Sequence, residues 1–472
     1  MSSSSLLLWL GVASSLLLLQ WAAFRRPPLA LGLLLALLPL LALTRRLFPE
    51  NALFFPSIET IAVVFVWGCV QVRSLKHGAP RDNSSWPINV ALFVFLMTGL
   101  ISSVLSRDPD LSLRILVAGG LAPILCYSLA SRYLKTDEDV QYVVYGMLAL
   151  AIQTTLFTAI YYDRRQATLP SQQELYAWLY SEAPVANLFV VPSATVSASV
   201  PAILLAVWYL LYGKWQKMLV GGSVILGAIY VAALSLSRGS WLGAVVALIG
   251  SLPLVFKHIR INVVILAISI LALGYVSGAV DSVLDMVEFR TNTRSTGSVD
   301  ARQANYVLAL QSASQHMLIG VGLGQYPDIY AEFPSASASR FPPLWFAHSL
   351  FLTLIPEIGL LGAVAFAYVV MRQIVRGIRL RKDDIEKGNG LLGYALSMGI
   401  IAYLVIASTS GTHLVAYLMY GKADTYFMAP AMIVVFTMLG ALAALQRDQA
   451  PVRLISSYSS QTMPAGVEFR QR

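Results

Sequence analysis

Runs of apolar residues recur along the whole chain, each bounded by Arg, Lys or a polar cluster. They fall at about 5–23, 29–43, 54–72, 88–105, 114–130, 141–161, 195–212, 218–236, 239–256, 261–277, 347–371, 391–408 and 425–445. A helix rises 1.5 Å per residue, so about 20 residues cross the ~30 Å hydrocarbon core of a bilayer. The pattern predicts thirteen transmembrane helices, or twelve if the short run 29–43 does not cross. Met218 to Phe256 is the instructive case: it is apolar or small throughout except for Arg238 near its middle, and Lys217 and Lys257 bracket it. As one helix it would run roughly 58 Å, about twice the membrane. It therefore reads as two spans joined by a Ser-Arg-Gly-Ser turn. Arg238 then lies at the opposite membrane face from the two lysines, and a charge at a turn avoids the cost of one at mid-span.

Composition agrees. The chain of 472 residues is 57% hydrophobic and 12% charged, with a mean hydropathy of +0.68, which excludes a soluble domain. The expected class is an all-α polytopic membrane protein of about 12–13 transmembrane helices. Met1 to Phe24 lacks a basic start, and Arg25-Arg26 follow its apolar run, so it reads as a span and not as a signal peptide. Cys69 and Cys126 both fall within apolar runs, which argues against a disulfide framework or a thiolate metal site.

Alternate loops sort the 33 lysines and arginines onto two sides, twenty-one on one and twelve on the other. The richer side is expected to be cytoplasmic, so the net charge of +9 is a topology signal and calls for no nucleic acid. The poorer, periplasmic side is distinguished by type: eleven of its twelve cations are arginine. The guanidinium grips phosphate with two donors where lysine offers a point charge. These arginines include Arg164, Arg165, Arg238, Arg290, Arg294 and Arg302.

The organisation that follows is 1–276 as N-terminal spans with short loops, 277–345 as a long periplasmic segment, 346–445 as C-terminal spans and 446–472 as a cytoplasmic tail. Within 277–345, "SVDARQANYVLALQSASQHML" (Ser298 to Leu318) predicts an amphipathic helix, with Val307, Leu310, Ala313 or Ser314, and Met317 at helical spacing and Arg302, Tyr306 and Ala309 on another face. "GVGLGQYPD" (Gly320 to Asp328) then reads as a turn; without a preceding strand its glycines are weak support for a nucleotide. The chain re-enters the membrane at "PPLWFAHSLFLTLIPEIGLLGAV" (Pro342 to Val364), which sets His348 at the outer mouth of a span. Glu357, nine residues on, is about 13.5 Å deeper and roughly half a turn around, so a buried polar contact to a neighbouring helix suits it better than orienting His348. No pair of histidines has metal-ligand spacing.

Four stretches resemble the O-antigen ligase and polymerase family in order and spacing. They are "SSVLSRDPDLSLRIL" (Ser102 to Leu116), "LSRGSWLG" (Leu236 to Gly243), "ARQANYVLALQSASQHMLIGVGLGQY" (Ala301 to Tyr326) and "HSLFLTLIPEIGLLG" (His348 to Gly362). Ser349 follows the histidine where the family often has Asn. The resemblance implies a glycosyltransferase in the bacterial inner membrane with its site facing the periplasm. Such an enzyme moves a glycan from an undecaprenyl-diphosphate carrier to an acceptor hydroxyl, without nucleotide sugar, metal or other cofactor. The acceptor is lipid A–core for a ligase and another lipid-linked glycan for a polymerase, and membrane lipids surround both. In this reading His348 is the catalytic base, and Arg238 and Arg302 hold the diphosphate, with Arg164, Arg165, Arg290 and Arg294 as further members of the cluster. The rival class is a transporter of lipid-linked glycans, which calls for ionisable groups along a path at mid-membrane; here the spans are nearly charge-free, with Glu59 and Glu357 the main exceptions.

Overall fold

A computed structural model describes residues 3–43, 58–78, 86–166, 192–212, 215–235, 237–255, 297–326, 349–383, 389–409, 416–419, 425–428 and 430–445, with isolated positions at 174, 284–285, 288 and 347. The helices are α1 (Ser3–Arg25), α2 (Pro27–Leu43), α3 (Ile58–His77), α4 (Trp86–Val104), α5 (Pro109–Leu116), α6 (Ala122–Tyr133), α7 (Asp137–Gln166), α8 (Pro192–Tyr212), α9 (Trp215–Leu234), α10 (Arg238–Val255), α11 (Gly297–Gln315), α12 (Leu350–Asp383), α13 (Asn389–Thr409) and α14 (Pro430–Leu445). Among the described residues, eight helical segments are long and apolar enough to cross a membrane, and four shorter apolar helices accompany them. Every predicted apolar run carries a helix except 261–277, which lies outside the described residues. The chain is thus a helical polytopic membrane protein.

Two boundaries differ from the sequence expectation. The run expected as helix from 425 begins as a strand: β1 (Ala416–Met419) pairs antiparallel with β2 (Thr425–Met428), Ala416 opposite Met428. Helix α14 then starts at Pro430. A proline's fixed φ and missing N–H suit the first helical position, and its ring biases the residue before it toward extended backbone. The second is α5, which begins at Pro109, several residues before the apolar run: the Asp108 side chain accepts the Leu111 N–H at 3.1 Å and caps the helix. A single π-turn, Val117–Leu121, joins α5 to α6, so both form one span.

The helices pair as α2 with α7, α8 with α9, α6 with α14 and α4 with α12, while α13 bridges α8, α10 and α12. Side-chain packing drives helix association where lipid is as apolar as leucine. Phe366 on α12 shows it, with ring centroids 5.6 Å from Phe95, 6.1 Å from Phe351 and 6.2 Å from Phe436. At the expected cytoplasmic side a polar clasp fixes the α1–α2 corner to the start of α7. Thr136 and Asp139 form a reciprocal cap, the Asp139 carboxylate accepting the Thr136 N–H at 3.1 Å and the Thr136 hydroxyl oxygen accepting the Asp139 N–H at 3.3 Å. The same carboxylate accepts from the Arg26 guanidinium at 2.9 Å, which raises the arginine's pKa above its usual value.

The amphipathic helix is present as α11, but its faces are not those the apolar spacing predicts. Asn305, Leu308, Ala309 and Ser312 are buried, while Val307, Leu310 and Met317 are exposed. Leu308 and Ala309 pack in a small apolar cluster with Tyr326, Ala347 and Leu352, and α11 lies against α12.

Candidate functional site

The Ser-Arg-Gly-Ser turn lies where the 39-residue stretch requires it. Helix α9 ends at Leu234 and α10 starts at Arg238. The Ser237 hydroxyl accepts the Ser240 N–H at 3.4 Å as an N-cap, and the Ser235 hydroxyl accepts the Ser237 N–H at 3.2 Å. Trp241 staples the turn by donating its indole N–H to the Ala232 carbonyl at 2.9 Å. Arg238 is thereby held exposed at the first position of α10. A cation there adds to the positive end of the helix dipole, an arrangement that costs stability unless an anion faces it.

The second feature is a break in α12. Gly359 has φ 77° and ψ 165°, outside the helical region, three residues after Pro356. Proline lacks an N–H and glycine leaves the ladder, so the carbonyls of this turn need partners elsewhere. The Gly-x-Gly-x-Gly turn supplies them: the Val321 N–H donates to Pro356 O and the Gly322 N–H to Glu357 O, each at 2.9 Å. In return the Leu360 N–H donates to Met317 O at 2.8 Å. Gly320, Gly322 and Gly324 all have positive φ, so the motif is a turn, as its composition predicts. The Glu357 side chain is fully buried, and its Oε1 accepts the Gly324 N–H at 3.0 Å. One partner of the carboxylate is therefore the returning loop.

The corner between α4 and α5 closes the arrangement. The Ser102 hydroxyl donates to Glu357 O. The Ser112 hydroxyl donates to Leu323 O at 2.8 Å, and the Gln325 amide donates to the Ser112 hydroxyl oxygen at 3.2 Å. The Tyr326 hydroxyl donates to Asn305 O at 2.9 Å and ties the turn back to α11. Hydrogen bonds among buried groups hold the turn against this corner. Three of the four stretches that carry the family resemblance are thus one hydrogen-bonded unit. Ser102, Ser112 and Gln325 had no assigned role in the sequence; the signal for the first was a pair of serines inside an apolar run.

The candidate residues distribute unevenly. Arg302 is half-buried on α11, which packs on α12, whereas Arg238 heads α10, which packs on α8 and α13. Arg164 and Arg165 fall in the last turn of α7, their side chains outside the described residues. Arg290, Arg294 and His348 lie outside the described residues altogether. Both neighbours of His348 are placed: the Ala347 N–H donates to the Thr353 hydroxyl oxygen at 3.1 Å, and that hydroxyl donates to Ser349 O at 2.8 Å. These bonds fix the entry of the chain into α12.

Fold and site define a multi-span helical membrane protein whose polar groups gather at a break in one span. Residues 224–367 match the family model described as O-antigen ligase. That part of the chain is similar to the O-antigen ligase family, which supports a glycan ligase or polymerase activity in general. No curated protein matches the chain.

Proposed function

We propose that the protein is an O-antigen ligase-type glycosyltransferase acting at the periplasmic face of the inner membrane, on a glycan carried by undecaprenyl diphosphate. The observation that carries this reading is that the family match holds three of the resembling stretches, two of which meet at the Glu357 junction. The acceptor hydroxyl oxygen attacks the anomeric carbon of the donor sugar. The carbon–oxygen bond to the diphosphate breaks, and its electron pair leaves with the lipid diphosphate. His348 takes the hydroxyl proton, which suits a base that titrates near neutrality. Arg238 and Arg302 stabilise the charge of the departing diphosphate, with Arg164, Arg165, Arg290 and Arg294 supporting them. The same donor serves a polymerase, in which the acceptor is a second lipid-linked glycan.

Purified protein supplied with lipid-linked donor and lipid A–core tests the reading. Transfer that persists in chelator is expected. Abolition by chelator would remove the metal-free mechanism, and chain elongation in place of transfer to lipid A–core would make the protein a polymerase.

Two further results are expected. Lysine at Arg238 or Arg302 keeps the charge and loses the fork, so activity falls well below wild type at normal protein levels. Full activity in both variants would reduce the arginines to a generic basic patch. In intact cells, cysteines at Ser237 and Glu288 react with an impermeant maleimide, while one at His77 reacts only after permeabilisation. The reverse pattern would invert the orientation.

A further inference from the structure

The end of α11 is hydrogen-bonded deep along α12, and this decides which solvent it meets. Arg372, Arg376 and Arg379 on the inner half of α12 mark the headgroup level on that side. The unbroken part of α12 from Met371 up to Leu360 is eleven residues, about 16 Å, roughly half of the ~30 Å core. The Met317 carbonyl accepts the Leu360 N–H and so lies near the middle of that core, well below the outer headgroups. The turn after α11 is therefore level with acyl chains, not with water.

The outward side chains there match that level. Leu318 is 80% exposed, with Met317 at 49% and Ile319 at 44%. Beside them on α12, Leu361 is 59% and Val364 54% exposed. This is one continuous apolar surface, and its α12 part is the lipid face of a span. Going up α11 the exposed face is mixed: Gln315, Ser314 and Gln311 come first, then Leu310 and Val307, and Gln303 near the top. The polar Asn305 and Ser312 point inward. The outward apolar surface is thus concentrated in Met317 to Ile319, just beyond the last turn of α11, with Leu310 the nearest exposed apolar position above it.

We propose that Leu310 and Met317 to Ile319 form a re-entrant wedge seated among phospholipid acyl chains in the outer-side leaflet. The backbone of the turn accords with this, because non-helical chain at membrane depth is tolerated where protein satisfies its polar groups, as α12 does here. The inference rests on the membrane-spanning fold and not on the reaction.

The unmodified protein in vesicles doped with a phosphatidylcholine bearing a diazirine near mid-chain gives the test. Trypsin releases Gln303 to Arg340 as one peptide, and mass spectrometry is expected to place lipid adducts on Leu310 and on Met317 to Ile319. Adducts on the α12 peptide at Leu361 with none on this one would overturn the proposal. A second measurement places bimane on Leu318→Cys or Gln303→Cys in a chain whose Cys69 and Cys126 are alanine. Doxyl-lipid quenching is expected to be several-fold stronger at 318 than at 303. Equal lipid quenching at both, with strong quenching by aqueous iodide at 318, makes the face a water-exposed one. Quenching by neither agent means that another protein surface covers it. Either result ends the proposal.

Discussion

His348→Ala is expected to lower the rate of glycan transfer by about 10²–10⁴, the usual cost of losing a general base, with donor binding largely kept. The proposed role rests on its place in the sequence, directly before the span that carries the Glu357 junction. His348→Gln should do no better, because an amide hydrogen-bonds but does not take the proton. Single-turnover assays on purified variants separate the two steps: a slow chemical step with unchanged donor affinity supports the base. Near-normal turnover in the alanine variant sinks the assignment and leaves the diphosphate contacts to be tested separately.

Gly322→Ala is expected to destabilise the protein strongly. The glycine has φ 109°, and a Cβ there would lie 2.2 Å from the Ser106 Cβ and 3.0 Å from the Ser112 hydroxyl. Left-handed backbone costs about 1–3 kcal/mol for a residue with a side chain, and overpacking typically about 1–3 kcal/mol more. Relief requires the turn to lift from the α4–α5 corner, which breaks the bonds of Val321 and Gly322 to α12. Gly68→Ala is the control, since a Cβ there meets nothing within 4 Å. A clear fall in the unfolding midpoint in detergent and loss of activity are expected for Gly322→Ala alone. Equal midpoints for the two variants would mean that the turn yields freely.

The spans and the Arg238 turn were legible because length against membrane thickness is a hard constraint: 39 apolar residues do not fit one crossing. The glycine turn was legible as a turn, since repeated glycine and a proline end a helix on backbone grounds. What it docks against was not. Pro356 and Gly359 are both tolerated within membrane helices, so "LIPEIGLLG" reads as continuous helix, and only the returning loop reveals the break. The faces of α11 were misjudged for a related reason. Apolar spacing assigns a core face when the other side meets water; Val307 and Leu310 are exposed while Asn305 and Ser312 are buried. The arginine cluster read from the sequence remains a proposal, because Arg238 and Arg302 stand on helices with different packing partners.

The break in α12 also bears on how the protein is made. When this helix leaves the insertion machinery, the carbonyls of Pro356 and Glu357 face hydrocarbon, where an unsatisfied backbone group costs several kcal/mol. Their partners, Val321 and Gly322, come earlier in the chain and are already synthesised, on a loop that must wait beside the emerging span. The upper half of α12 is therefore incomplete as an independent insertion unit. Biogenesis of this region couples the arrival of one span to the retention of an upstream loop at the membrane, and a chain truncated between α11 and α12 would present that loop with nothing to close on.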